Sequence, residues 1–387
     1  MFKETSIACL FDLISLIPGF IIALQLGIFS LSPWALALYP AVISVKAVIT
    51  GLLTGRLSTA LHLGTMYPRF FGNTKSFYRL IGAMVILTLG TSVTISAFAF
   101  VFGTLFWGVT VSEFSAILAV MVATLSLGLF VALTTVELTF ISFKRSLDPD
   151  TILYPAVSTV ANIVMTFLYI AILHVFFSGT NGKLAVILFG LINVFLVLLV
   201  LPLHIRNKEF RQILKESVPT MILVAFIVNV TGTLFKAIGD FAGFRREIYT
   251  VYPAMIDMIG DAGLVVGSAA TVKLTLGVLK PSLGAIKNHV KNILSAWAAT
   301  LLLFILMGGV ALAINGMFNV WEITNLLLIL LITNVMSFAA IVVVSYVIAI
   351  LTFKRGLDPD NFVIPVESSL ADTITTAALL TTLLLIV

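Results

Sequence analysis

The sequence predicts an all-α polytopic membrane protein: two parallel five-helix repeats plus one linking helix, eleven transmembrane helices in all, related by a pseudo-two-fold along the membrane normal. Three observations predict it. Of the 387 residues 60% are hydrophobic and 10% charged, with a mean hydropathy of +1.18, whereas a soluble domain carries about 25% charged residues. Apolar runs long enough to cross a bilayer, roughly 20 residues each, recur along the whole chain. One block of sequence also occurs twice in constant register.

In chain order, breaks at charged or Gly/Pro-rich points delimit spans near 5–28, 36–64, 80–107, 114–142, 150–177, 184–203, 217–238, 249–277, 291–314, 323–352 and 361–387. The first reads as a retained span and not a cleavable signal, because its apolar run continues to about Leu26 and carries Asp12. No connecting loop is long enough for a soluble domain, which excludes an extramembrane sensor or enzyme. The single cysteine, Cys9, excludes an internal disulfide. A net charge of +5 and a pI near 9.3 come without any basic domain or tail to hold nucleic acid; they reflect topology. With a cytoplasmic N-terminus, fifteen Lys and Arg residues fall inside. Only Lys183, Lys236, Arg245 and Arg246 fall outside, and Lys46, Arg56 and Lys273 lie within spans. That distribution satisfies the positive-inside rule and places a multi-pass protein in the cell membrane with its C-terminus outside.

The repeat is read from matched blocks. Phe143-Lys-Arg-Ser-Leu-Asp-Pro-Asp150 returns as Phe353-Lys-Arg-Gly-Leu-Asp-Pro-Asp360, followed at the same interval by Pro155 and Pro365, then Ser158 and Ser368. Upstream, Tyr39-Pro40-Ala41 matches Tyr252-Pro253-Ala254, Gly64 and Gly277 end both segments, and Lys3-Glu4 matches Lys215-Glu216. The offset stays between 210 and 213 residues. Residues 1–180 thus form the first repeat, 181–212 a linking span and cytoplasmic loop, and 213–387 the second repeat. Five spans per repeat would invert the second copy; the unpaired span at 184–203 restores its orientation, so a single chain imitates a homodimer.

Charged side chains inside a bilayer cost at least about 2.5 kcal/mol each and face a cavity or a partner. Here they are Asp12, Lys46, Arg56, Glu137, Asp257, Asp261, Lys273, Glu367 and Asp372. For each, the alternative is a structural ion pair or a place nearer the interface. Asp358-Pro359-Asp360 reads as a helix start, with an Asp cap and Pro at the first helical position. Asp372 then falls about 21 Å along the helix, with Pro365 free to kink it in between. The matching residue in the first repeat is Asn162. Asp257 and Asp261 share one helical face beside Gly260, Gly263 and Gly267, which permit close approach; their first-repeat counterparts are Ser44 and Val48. Hard divalent cations want oxygen, and magnesium keeps several waters and takes one or two carboxylates. The oxygen set for the ion is Asp372, Asp261, Asp257, Glu367, Asn162, Ser368 and Ser158. His62, His174, His204 and His289 show no ligand spacing, so soft-metal chemistry is not supported.

At these residues the chain resembles the transmembrane part of the MgtE-type magnesium transport family, in the two-repeat form of the eukaryotic magnesium-transporting solute carriers. Pro40 through Arg56-Leu-Ser-Thr59 resembles the family's second-span pattern, and Asp358-Pro-Asp-Asn-Phe-Val-Ile-Pro365 through Ser368-Ser-Leu-Ala-Asp372 its last-span pattern. The resemblance implies ten repeat helices around a central pore, with the fifth-span Asp holding hydrated magnesium; that role carries to Asp372 and, by position, to Asn162. Departures from the pattern are Lys46-Ala47-Val48 where a Gly-Asn pair stands, Gly260-Asp261 in the second repeat, and Asn162 for a central Asp. The charges are lopsided: acids in the second repeat, Lys46 and Arg56 in the first.

The function expected is transport of divalent cations, foremost Mg2+, by a central pathway between the repeats. No enzyme activity and no cofactor are expected beyond the carried ion. The expected partners are that ion and the bilayer, with no nucleic acid and a monomeric pseudo-dimer. The alternatives are a divalent-cation exchanger coupled to sodium or protons, an intramembrane aspartyl protease using Asp261 and Asp372, and a non-catalytic membrane scaffold.

Overall fold

The computed structural model describes residues 1–145, 154–243, 245–355 and 364–386. Within these, side chains are not described at 46–52, 54, 154–157, 200, 203, 204, 209, 283, 285, 288, 352, 355, 364 and 365. Helices, and no strands among the described residues, make up the chain. They are α1 (Phe2–Asp12), α2 (Leu16–Leu24), α3 (Leu26–Phe29), α4 (Pro33–Ala37), α5 (Tyr39–His62), α6 (Lys75–Phe102), α7 (Phe114–Lys144), α8 (Tyr154–Phe177), α9 (Thr180–His204), α10 (Lys208–Ala242), α11 (Arg246–Thr275), α12 (Val290–Asn315), α13 (Val320–Arg355) and α14 (Ile364–Ile386).

Ten helical stretches among the described residues are long and apolar enough to cross a membrane, and each matches an expected span. The eleventh expected segment, 36–64, falls on the end of α4 and on α5, where the apolar helical stretch among the described residues is Pro33–Val45. The first span is not one helix. Pro18 has no N–H and its ring crowds the carbonyl of Ile14, and α1 gives way to a 3-10 turn at Leu13–Ser15 before α2 begins. Gly64 and Gly277 close α5 and α11 alike, at φ 68 and 70. In both, the following N–H reaches back to the last turn, Thr65 to Ala60 O and Val278 to Lys273 O, each 3.0 Å, the left-handed ending that glycine allows. The Asp358-Pro359-Asp360 start lies outside the described residues. The described part of α14 runs Ile364–Ile386 and contains Pro365, and Asp372 lies about 12 Å beyond Ile364 along it.

The chain packs as two compact units, Met1–Leu26 with Leu234–Val387, and Gly27–Thr233. These are not the segments 1–180 and 213–387: α1 and α2 belong with α11–α14, whereas α10 up to Thr233 belongs with α5–α9. In the first unit α11 packs against α1, α2, α12, α13 and α14; in the second α7 packs against α5, α6, α8 and α9. Glycine makes the exchange of opening helices possible. A Cβ on Gly19 would stand 2.0 Å from Thr250 O in one unit, and one on Gly232 2.0 Å from Ala37 O in the other. Both members of these pairs are offset by 213 residues, the register of the sequence repeat.

Candidate ion site

In the first unit α11 and α14 run antiparallel, joined at three levels. Tyr252 Oη and Thr376 Oγ1 are 2.9 Å apart and buried. One level on, a Cβ on Gly260 would lie 3.7 Å from Ala371 Cβ, so Asp261 and Asp372 are the next residues along the two helices from their point of contact. At the third level the carboxylate of Glu367 lies over Gly263 and Gly267, where added Cβ atoms would come within 3.3 and 3.4 Å of Oε1. Ser345 of α13 donates its hydroxyl proton to the same oxygen. The glycines therefore cushion a buried acid and a side chain of α13, Ile341, not a neighbouring backbone.

The acids of this unit follow one another along α11 and α14. From Gly267 to Asp257 is about 15 Å of helix, and Glu367, Asp372, Asp261 and Asp257 fall within it. Asp257 and Asp261 are partly exposed; Asp372 and Glu367 are buried, at 6% and 2% exposure. The exchanged opening segment joins them: Ser15 Oγ donates to Asp257 Oδ2 at 2.8 Å, and Asp12 is buried at the end of α1. Among the described residues no three or more His, Cys, Asp or Glu side chains gather into a metal-binding group. One or two carboxylates holding an ion that keeps much of its water are what such a wall can offer.

The second unit repeats the frame without the charge. Tyr39 Oη and Thr166 Oγ1 are 3.0 Å apart and buried, at positions offset by 213 and 210 from Tyr252 and Thr376. Asn162 is buried, as is Ser44, and Ser158 is partly exposed; Ser368, its first-unit counterpart, is partly exposed too. Lys46 and the Thr50-Gly51 and Thr54 part of the small-residue face lie outside the described side chains.

Two of the intramembrane charges take the structural alternative. Arg56 Nη2 is 2.9 Å from Glu216 Oε2, and Gln212 Nε2 donates to the other oxygen at 2.9 Å, so Arg56 is an ion-pair member holding α5 to α10. Lys273 Nζ stands 3.4 and 3.5 Å from the ring nitrogens of His289, at the end of α11. Burial, and then the Lys273 ammonium, hold that imidazole below its usual pKa. Glu137 is exposed on α7. Of the groups that complete the acid wall, Ser15 carried no signal in the sequence, its repeat counterpart being Val228, and Ser345 stood unmarked among the many hydroxyls of the spans, with Thr135 as its counterpart. The Tyr–Thr pairs did carry one, the matched Tyr39 and Tyr252 blocks. A cleft between α7 and α8 is lined by Phe130, Leu138, Val160 and Val164 with Thr134 as its polar side chain, and it holds no carboxylate for a cation.

A family model described as divalent cation transporter, MgtE, matches residues 39–172 and 252–382, well over half of the chain. The chain belongs to the MgtE divalent cation transporter family. Its two matched regions begin 213 and end 210 residues apart, in the register of the repeat, which makes this a two-repeat MgtE protein. Each MgtE region covers the four helices α5–α8 or α11–α14 and leaves out the exchanged opening helices. No curated protein and no solved structure gave a match. MgtE membership and the many apolar helices make this a multi-pass membrane protein of a transporter family.

Proposed function

We propose that this chain carries magnesium across the membrane along the acid wall of α11 and α14, with Asp372 as the principal ion-binding carboxylate. Asp261 and Asp257 would serve as partly exposed partners and Glu367 and Ser368 as further oxygens toward the start of α14; Asn162 and Ser158 supply neutral oxygens at the equivalent places of the first repeat. The single observation that carries this reading is the approach of Gly260 to Ala371, with Asp261 and Asp372 each one residue from that point on two packed helices. A hydrated divalent ion needs few carboxylates and tolerates neutral oxygens, which suits one acid-rich and one neutral half. With α5 counted the chain crosses eleven times, the repeats are parallel, and the distribution of Lys and Arg sets the N-terminus in the cytoplasm. The imbalance of charge favours a second reading, an exchanger that moves a divalent ion against sodium or protons. The test is flux in proteoliposomes with magnesium, cobalt, manganese, sodium and potassium. Asp372→Asn and Asp261→Asn are expected to lose divalent flux with the protein still folded; normal flux in both would overturn the site. Dependence on an imposed sodium or proton gradient selects the exchanger, and ohmic single-channel current excludes it.

A further inference from the structure

We infer that Tyr252 is a positioning residue for the ion site, acting through a hydroxyl relay that ends on the backbone of Asp372; the inference rests on the reading of Asp372 given above. Thr376 Oγ1 lies 2.6 Å from the carbonyl oxygen of Asp372, one turn back on α14, and 2.9 Å from Tyr252 Oη. Two oxygens at 2.6 Å need a proton between them, and the carbonyl has none to give, so the Thr376 hydroxyl donates to Asp372 O. Its only proton is then spent, and Tyr252 O–H must be the donor to Thr376 Oγ1. The order is fixed: Tyr252 O–H to Thr376 O–H to Asp372 C=O. Each bond in such a buried chain polarises the next, and a threonine that bonds back to the carbonyl four residues earlier bends its helix slightly. The relay therefore sets both the height and the tilt of the turn that presents the Asp372 carboxylate.

Its root is rigid. Tyr252 is fully buried and stacks on Phe235, centroids 4.0 Å apart at 30°. It stands on α11, the helix that carries Asp257 and Asp261, so the same bond fixes the register of all three acids. An independent observation is that the second unit makes the same Tyr–Thr bond, Tyr39 to Thr166, with Thr166 four residues after Asn162 as Thr376 is four after Asp372. Helix packing alone would not demand a hydroxyl pair at both places: Phe and Val would fill them with no buried polar atom to satisfy.

The test measures magnesium uptake into proteoliposomes by the full chain, wild type against Tyr252→Phe, Thr376→Val, the double variant and Thr376→Ser, with Asp372→Asn alongside. Tyr252→Phe and Thr376→Val are each expected to raise the half-saturating magnesium concentration about tenfold, as loss of a buried hydrogen bond does, with the maximal rate within about twofold. The double variant should match the singles, since one relay is broken once, and Thr376→Ser should behave as wild type. A merely structural role would lower the melting temperature and the maximal rate together and leave half-saturation in place; that result, or additive effects in the double variant, would overturn the relay. Where Tyr252→Phe fails to fold, Thr376→Val against Thr376→Ser decides the same point. If Asp372→Asn is inactive and the relay variants are normal, the positioning role falls and the site stands. If Asp372→Asn transports normally, both fall.

Discussion

The two units share a frame and differ in charge. Each contains a four-helix MgtE region, a Tyr–Thr bond one turn beyond the central residue of its last helix, and the opening helix of the other repeat seated on a glycine. On the frame of α11–α14 stand Asp257, Asp261, Glu367 and Asp372; the corresponding places on α5 and α8 hold Ser44, Val48, Val157 and Asn162. Backbone packing is thus what the repeats hold in common, and the four carboxylates stand on one of them. A glycine that meets a carbonyl, or a tyrosine that meets a threonine, serves the same purpose in either unit, whereas an acid in an apolar wall is costly and is retained where an ion repays it.

The strongest strain on the common frame comes from Gly19→Val and Gly232→Val. Each would drive a side chain into a carbonyl that a Cβ meets at 2.0 Å, so each should destabilise by about 3 kcal/mol or prevent folding. Thermal unfolding in detergent should show the two losses alike; a large loss at one and none at the other would break the equivalence. Gly263→Ala acts on the acid-rich unit alone. Its Cβ would lie 2.7 Å from Ile341 Cγ1 and 3.3 Å from Glu367 Oε1, with an expected cost of about 1–3 kcal/mol, read in the same assay. Arg56→Ala breaks an ion pair whose Glu216 side chain is 42% exposed, so it should cost about 0.2–1 kcal/mol and leave half-saturation by magnesium unchanged. A shift in half-saturation would put Arg56 in the ion path. The smallest effect is at His289. Its folded pKa is held below the usual 6.5, so the unfolded chain binds the proton more readily and stability falls as the pH drops below about 6.5. His289→Gln should flatten that fall, read as a smaller drop in melting temperature between pH 8 and pH 5 than wild type shows, and change nothing at pH 8.

Much of the frame was legible in the sequence because membrane spans are long and uninterrupted: the apolar runs, the glycine stops at Gly64 and Gly277, and the repeat offset all appear where expected. The broken first span was signalled by Pro18 but read as one helix, since hydropathy does not distinguish a helix from a helix with one 3-10 turn. The exchange of opening helices was not legible, because Gly19 and Gly232 announce a close approach without naming the partner. At the site, Asp257 and Asp261 were placed on one face by the i, i+4 spacing, and they stand together on α11. For Arg56 the sequence left open a cavity or an ion pair, because only the fold brings Glu216, 160 residues later in the chain, to within 2.9 Å. Glu367 was found by its charge, but its Ser345 donor and glycine cushion belong to helices that meet only on folding.

The central question is whether ion binding follows the acid-rich unit. Magnesium flux in proteoliposomes, Asp372→Asn set against Asn162→Ala at equal protein loading, tests it most directly. Asp372→Asn is expected to fall to the rate of empty liposomes while Asn162→Ala stays within about tenfold of wild type, because a lost charge at a buried position costs more than a lost neutral oxygen. Equal losses in the two variants, or normal flux in Asp372→Asn, would contradict it.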